Sequence, residues 1–134
     1  MATVSRTKAT LRISGDALDP SVITGLLGHA PTSSQMKGQH ISTRVAKFGM
    51  WRLEAAPRTP GDLDAQVDEI LSKLSQDLSV WASITSTYTA DLFCGVFLSG
   101  SNEGLSLSVE TLEALGARGV EIGLDIYSGD DDDS

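Results

Sequence analysis

The chain has little of what most chemistry needs. Its single cysteine, Cys94, stands alone among 134 residues, so no intramolecular disulfide can form. Histidine occurs twice, as His29 and His40, and no pair of candidate ligands has metal-binding spacing on a shared face, which argues against a zinc site. No stretch approaches the roughly 18 apolar residues of a membrane span. The start, Met1 to Arg6, lacks the apolar run of a signal peptide. No G-x-G-x-x-G, P-loop or G-x-S-x-G pattern occurs, and the run Gly100 to Gly104 has its serine in the wrong place for a nucleophile elbow. These absences predict a cytoplasmic, non-enzymatic protein with no cofactor and no metal.

What is present suits one small domain. With 40% hydrophobic residues, a chain of this length can build a core without disulfides or metal. The net charge of -8 is unevenly spread. Residues 1–60 carry eight Lys/Arg against Asp16, Asp19 and Glu54, a net of +5. Residues 61–134 carry Lys73 and Arg118 against fifteen acids, a net of -13, including the run Asp130–Asp133. An acidic surface facing a basic one, within or between molecules, would account for this; so would helices with acidic outer faces.

Hydrophobic periodicity marks the elements. Residues 8–14 alternate, with Ala9, Leu11 and Ile13 on one face and Lys8, Thr10, Arg12 and Ser14 on the other, as in a half-buried strand. Asp19-Pro20 opens a short helix through Ile23, Leu26 and Leu27 that stops at Gly28. Residues 31–47 read as a polar loop with a short strand near Gln35–Lys37. Residues 47–55 read as a strand with Trp51, Leu53 and Ala55 on one face and Phe48, Met50 and Arg52 on the other. Asp62 caps the clearest helix, whose stripe is Leu63, Val67, Ile70, Leu71 and Leu74, and Leu78, Trp81 and Ala82 suggest another. Residues 88–98 are apolar on both faces, which predicts a strand buried on both sides. Ser108 caps a helix through Leu112 and Leu115, and 120–127 is the last strand.

Two strand-helix units echo each other, Ile13-Ser14-Gly15 before one helix and Leu98-Ser99-Gly100 before the other. The pattern predicts an α+β fold: a ferredoxin-like or related two-layer sandwich, with a mixed, mostly antiparallel sheet and two to four helices. Residues 1–127 form the single domain, and 128–134 are expected to be a disordered acidic tail.

Two groups of residues are candidates for binding. Lys37, His40, Arg44, Lys47, Arg52 and Arg58 form a basic stretch, within which Lys37, His40 and Arg52 are candidates for a small-anion pocket. Its alternative is a solvated loop. Nucleic acid is disfavoured because the chain as a whole is acidic and has no series of stacking aromatics. The second group is Phe48, Phe93, Phe97 and Tyr127, whose strands already supply a core from their other faces. Either residues 62–84 cover these rings, or the rings line an open face for a partner protein or a second copy of the chain, a homodimer. Cys94 reads as inert core. Lys37, Asp125 and Tyr127 have the chemistry for acid-base work, but nothing in the sequence brings them together.

The ordered set Leu18-Asp19-Pro20, Ile23, Leu26-Leu27-Gly28, Pro31-Thr32, Lys37-Gly38, Gly49-Met50-Trp51-Arg52-Leu53, Gly104-Leu105-Ser106 and Leu124-Asp125-Ile126-Tyr127 resembles the bacterial domain-of-unknown-function family 4279, over residues 8–127. The resemblance implies a small bacterial protein and no established activity, cofactor or catalytic residue. It leaves Gly38 for a tight turn, Trp51 for the core, and Lys37 without an evident structural role. The sequence thus points to a protein-binding module, immunity- or regulator-like by analogy, with a small-molecule or anion-binding domain using segment 37–58 as the alternative.

Overall fold

A computed structural model describes residues 3–129; the acidic run Asp130–Asp133, where the tail was expected, lies outside them. In chain order the elements are β1 (Arg6–Gly15), α1 (Pro20–Leu27), β2 (Ser33–Gln35), β3 (His40–Ile41), β4 (Arg44–Val45), β5 (Gly49–Glu54), α2 (Leu63–Ser72), α3 (Leu78–Thr85), β6 (Thr89–Phe97), α4 (Val109–Ala117) and β7 (Glu121–Tyr127). Five strands form one sheet in the order β2-β5-β1-β6-β7, and β3 and β4 form a separate ribbon. β1 is antiparallel to β5 and β6, β2 is antiparallel to β5, and β6 and β7 are parallel. The sheet is thus mixed and mostly antiparallel. The parallel pair follows from α4, the crossover helix that two adjacent parallel strands require.

Local chemistry places the helix ends. The carboxylates of Asp19, Asp62 and Asp77 accept from Ser21, Ala65 and Ser79 N–H, and the Ser108 hydroxyl accepts from Thr111 N–H. Each satisfies a donor that the first helical turn leaves without an intrahelical partner. Gly28 ends α1 in the left-handed region at φ 83°, where a side chain would be strained.

The core lies on one side of the sheet. Ala9, Leu11 and Ile13 of β1, Trp51 and Leu53 of β5, and Leu92, Cys94 and Val96 of β6 form one cluster with Ile23, Leu27, Val67, Ile70, Trp81, Ile84 and Leu115 from the four helices. Residues 62–84 therefore pack on the aliphatic face, not over the rings of Phe93, Phe97 and Tyr127. The expectation that β6 is buried on both faces is corrected: its Ala90, Leu92, Cys94 and Val96 are buried, whereas Phe93 is 37% exposed. Two-faced apolar patterning normally signals two covering layers; here the second face carries aromatic rings that other side chains of the sheet partly cover.

A buried polar network joins the layers. Gln66 and Thr7 are both 0% exposed, Thr7 Oγ1 donates to Gln66 Oε1 at 2.7 Å, and Gln66 Nε2 donates to Thr7 O and Ala56 O at 3.0 and 2.9 Å. Thr7 Oγ1 also accepts from Asp62 N–H at 2.9 Å, so the N-cap of α2 is tied to β1. Gln66→Leu would enlarge the apolar stripe but strip the partners from these groups. It should lower stability by about 1–3 kcal/mol, the cost of a buried unsatisfied polar group, as measured by urea denaturation; an unchanged midpoint would contradict the network's role.

Candidate functional site

Side-chain alternation along the strands assembles the other sheet face. β1 contributes Arg6, Lys8, Thr10 and Arg12, whose in-register neighbours include Arg52 and Glu54 on β5 and Asp91, Phe93, Gly95 and Phe97 on β6. β7 extends the rows with Glu121, Gly123, Asp125 and Tyr127. Among the described residues no helix contributes its core residues to this side. Met50 and Gln35, beside the two ends of the β3–β4 excursion, are buried on this face, as is Gly95 on β6.

The rings and cations on this face hold one another. Arg12 donates from Nε and Nη2 to the two carboxylate oxygens of Asp91 at 2.9 and 2.7 Å. This two-point contact sets its guanidinium over the Phe93 ring, 4.5 Å from the centroid. Asp91 raises the Arg12 pKa, chiefly through the hydrogen bonds, against the opposing effect of burial. Phe97 and Tyr127 stack with centroids 4.7 Å apart and planes 4° from parallel. Arg6 and Lys8 lie over Phe97 at 5.6 and 5.9 Å. A Cβ at Gly95 would sit 3.1 Å from the Phe97 ring, so the absence of a side chain there lets the ring lie down on the sheet. Tyr127 donates to Asp125 Oδ2 at 2.6 Å, and this bond, followed by the carboxylate's charge, raises the phenol's pKa. The phenol therefore loses its proton less readily near neutral pH.

The aromatic candidates thus separate. Phe93, Phe97 and Tyr127 come together on one face, with Arg52 in the row that also holds Arg12 and Asp91. Phe48 is 41% exposed but precedes β5, and its described contact is its carbonyl, which accepts from Gln35 Nε2. The three anion candidates lie on different elements. Lys37 is exposed and forms an ion pair with Asp16 at 2.9 Å, a surface contact of small energetic weight between the turns that follow β2 and β1. His40 is exposed on β3, opposite Val45 of the ribbon. Gly38 takes φ 86° in the turn before that ribbon, as a tight turn there requires. Arg58 approaches Glu69 at 3.9 Å.

Elsewhere, a groove of about 420 Å³ lies between α2 and α4, lined in part by Asp64, Val67, Leu71, Thr111 and Arg118. Part of its polar lining is bonded internally, but among the described residues the buried Arg118 Nε has no hydrogen-bond partner. Asp64 accepts from Thr111 Oγ1 and Ser108 N–H, which hold its pKa down, and Arg118 donates to Gln76 Oε1 and Ala114 O. Among the described residues no helix is long and apolar enough to cross a membrane.

The fold and this face define a two-layer α+β domain whose helices cover one sheet face and leave a cation-and-ring surface on the other. The chain belongs to the family described as Domain of unknown function (DUF4279), which it matches over residues 5–129. No curated protein and no solved structure matches it.

Sequence reasoning missed Arg6 and Asp91 and placed Arg12 without a role. Alternation did put Lys8 and Arg12 on the face opposite the core. The Arg12–Asp91 contact spans 79 positions in the chain and follows only from the β1–β6 register.

Cys94 lies on the core face, 0% exposed, and burial, reinforced by the charge of Asp91, pushes its thiol up to about 12. A thiol reagent should therefore label it negligibly in the native protein at pH 8 and completely in denaturant. Rapid native labelling would remove Cys94 from the core.

Proposed function

We propose that the chain is a non-enzymatic protein-binding module and that its partner docks on the open sheet face. The observation that supports this most is Arg12, held by two hydrogen bonds to Asp91 over the partly exposed ring of Phe93, on a face that no helix covers among the described residues. Arginine and aromatic side chains dominate interface energetics, and a guanidinium already fixed in place loses less rotamer freedom on binding. On the β1–β5 side of the face Arg6, Lys8, Arg12 and Arg52 outnumber Glu54, while Asp91, Glu121 and Asp125 lie on β6 and β7, and this basic side favours an acidic partner. Arg6, Lys8 and Arg52 have no carboxylate partner among the described residues; Arg6 and Lys8 lie on β1, beside the ring-bearing β6, and Arg52 lies on β5, one strand further from the rings. A protein surface with carboxylates around an apolar centre fits this arrangement. Such a module would neutralise or regulate the protein it binds, as immunity proteins do, a comparison by analogy.

A photo-crosslinking residue at position 93, in the full chain expressed in its own cells, tests the proposal, with position 113 on the helix layer as control. Position 93 should capture a discrete protein with an acidic surface. Arg12→Ala should weaken binding of the purified partner tenfold or more, as loss of a hot-spot side chain worth about 2 kcal/mol does. Equal capture from both positions, or capture of RNA from position 93, would overturn it.

A further inference from the structure

β7 closes one side of the sheet and has a strand neighbour only on its β6 side among the described residues. The Tyr127 carbonyl accepts from Leu98 N–H, so Tyr127 directs its backbone groups toward β6. By the alternation of a strand, Ile122, Leu124 and Ile126 direct their N–H and C=O groups to the free edge. These three residues share a face with Leu92, Cys94 and Val96, the side on which the helices lie. The helix layer stops short of the edge: Leu124 is 43% exposed and Ile126 58%. α4 does not close the gap. Glu110, Thr111, Ala114 and Arg118 line its groove with α2, which leaves Val109 and Leu112 on the flank turned away from α2, 76% and 51% exposed. A strip of four aliphatic side chains therefore runs beside an unpaired strand edge, with none of the cation cover that protects the rings of the opposite face.

We propose that two copies of the chain join through this edge, β7 antiparallel to β7, with the two Leu124 residues opposite each other on a two-fold axis. Strand overlap and charge together select that register: centring on Ile122 or Ile126 would leave only residues 121–123 or 125–127 of each β7 paired. Centring the pair on Gly123 would set Glu121 against Asp125 of the partner copy twice over, and centring it on Asp125 would set that carboxylate against its own copy; like charges directly opposite are unfavourable. Centring on Leu124 places no acid opposite an acid. Ile122 meets Ile126, Glu121 meets Tyr127, and Asp125 meets Gly123. At Gly123 a Cβ would find nothing within 4 Å, so no neighbour among the described residues requires a glycine there; the open space is where the partner copy's Asp125 side chain lies. The same operation brings the flanks of α4 bearing Val109 and Leu112 together. The interface is isologous and closes on itself. It makes one sheet of the two copies, removes an aggregation-prone edge, and leaves Phe93 and Phe97 uncovered on both.

Cysteine pairing reads the register directly. Gly123 and Asp125 would form a non-hydrogen-bonded pair, with Cα atoms about 4.5 Å apart, within disulfide reach. A mixture of full-length Gly123→Cys and Asp125→Cys chains should form a disulfide-linked heterodimer under mild oxidation, while either variant alone should not. The native chain should sediment as a dimer at micromolar concentration. Leu124→Glu should sediment as a monomer with its thermal transition intact, and should keep the position-93 crosslink, which reports on the other face. A native monomer, a Leu124→Glu dimer, or self-linking of either cysteine variant alone would overturn the proposal.

Discussion

The alternation of β1 is the constraint on which the rest of the structure depends. β1 lies between β5 and β6, and its Thr7, Ala9, Leu11 and Ile13 are all buried while Arg6 and Lys8 are exposed. Once those four residues choose a side, every helix must cover that side. A slip of one residue would turn Arg6, Lys8 and Arg12 into the core. The Gln66–Thr7 network makes the choice specific, since a glutamine beside the helix stripe can be buried only where Thr7 and Ala56 present their oxygens. Hydrophobic area alone would allow α2 to slide along the sheet; these bonds set its position.

The opposite face follows from the same choice. Three rings on it would be poorly solvated if bare. Instead Phe97 and Tyr127 stack, and Arg6, Lys8 and Arg12 lay their side chains over Phe97 and Phe93. Each cation-ring contact contributes only about 0.5–1 kcal/mol at an exposed site, and a partly exposed ion pair such as Arg12–Asp91 adds little more. These terms order the surface more than they stabilise the fold. The helix side of β7 has no comparable device, which is why Leu124 and Ile126 remain exposed on an otherwise well-covered face.

Much of the fold was legible because its signals are local. Asp19, Asp62 and Ser108 cap the helices they were expected to cap, and the stripe from Leu63 to Leu74 and the alternation of β1 place the core. What escaped notice depends on pairing across the chain. β3 and β4 have two residues each and no apolar pattern, so segment 31–47 read as a loop. The strand expected near Gln35–Lys37 is Ser33–Gln35, and it takes its place by pairing with β5. Gln66 interrupts no apolar stripe and gave no sign of burial. The candidate site was half legible: Phe93, Phe97, Tyr127 and Arg52 share one face, whereas Lys37 and His40 lie elsewhere, because adjacency in the basic stretch was mistaken for adjacency in space.

The central claim is that one sheet face is bare of any covering layer among the described residues. Hydroxyl-radical footprinting of the native chain, read by mass spectrometry, tests it most directly because the comparison is internal. Trp51 and Trp81 are 0% exposed, and Tyr127 is 47% exposed. Phe93 and Tyr127 should be oxidised readily while both tryptophans, intrinsically at least as reactive, stay protected until the chain is unfolded. Protection of Phe93 and Tyr127 to the level of Trp51 would contradict the account.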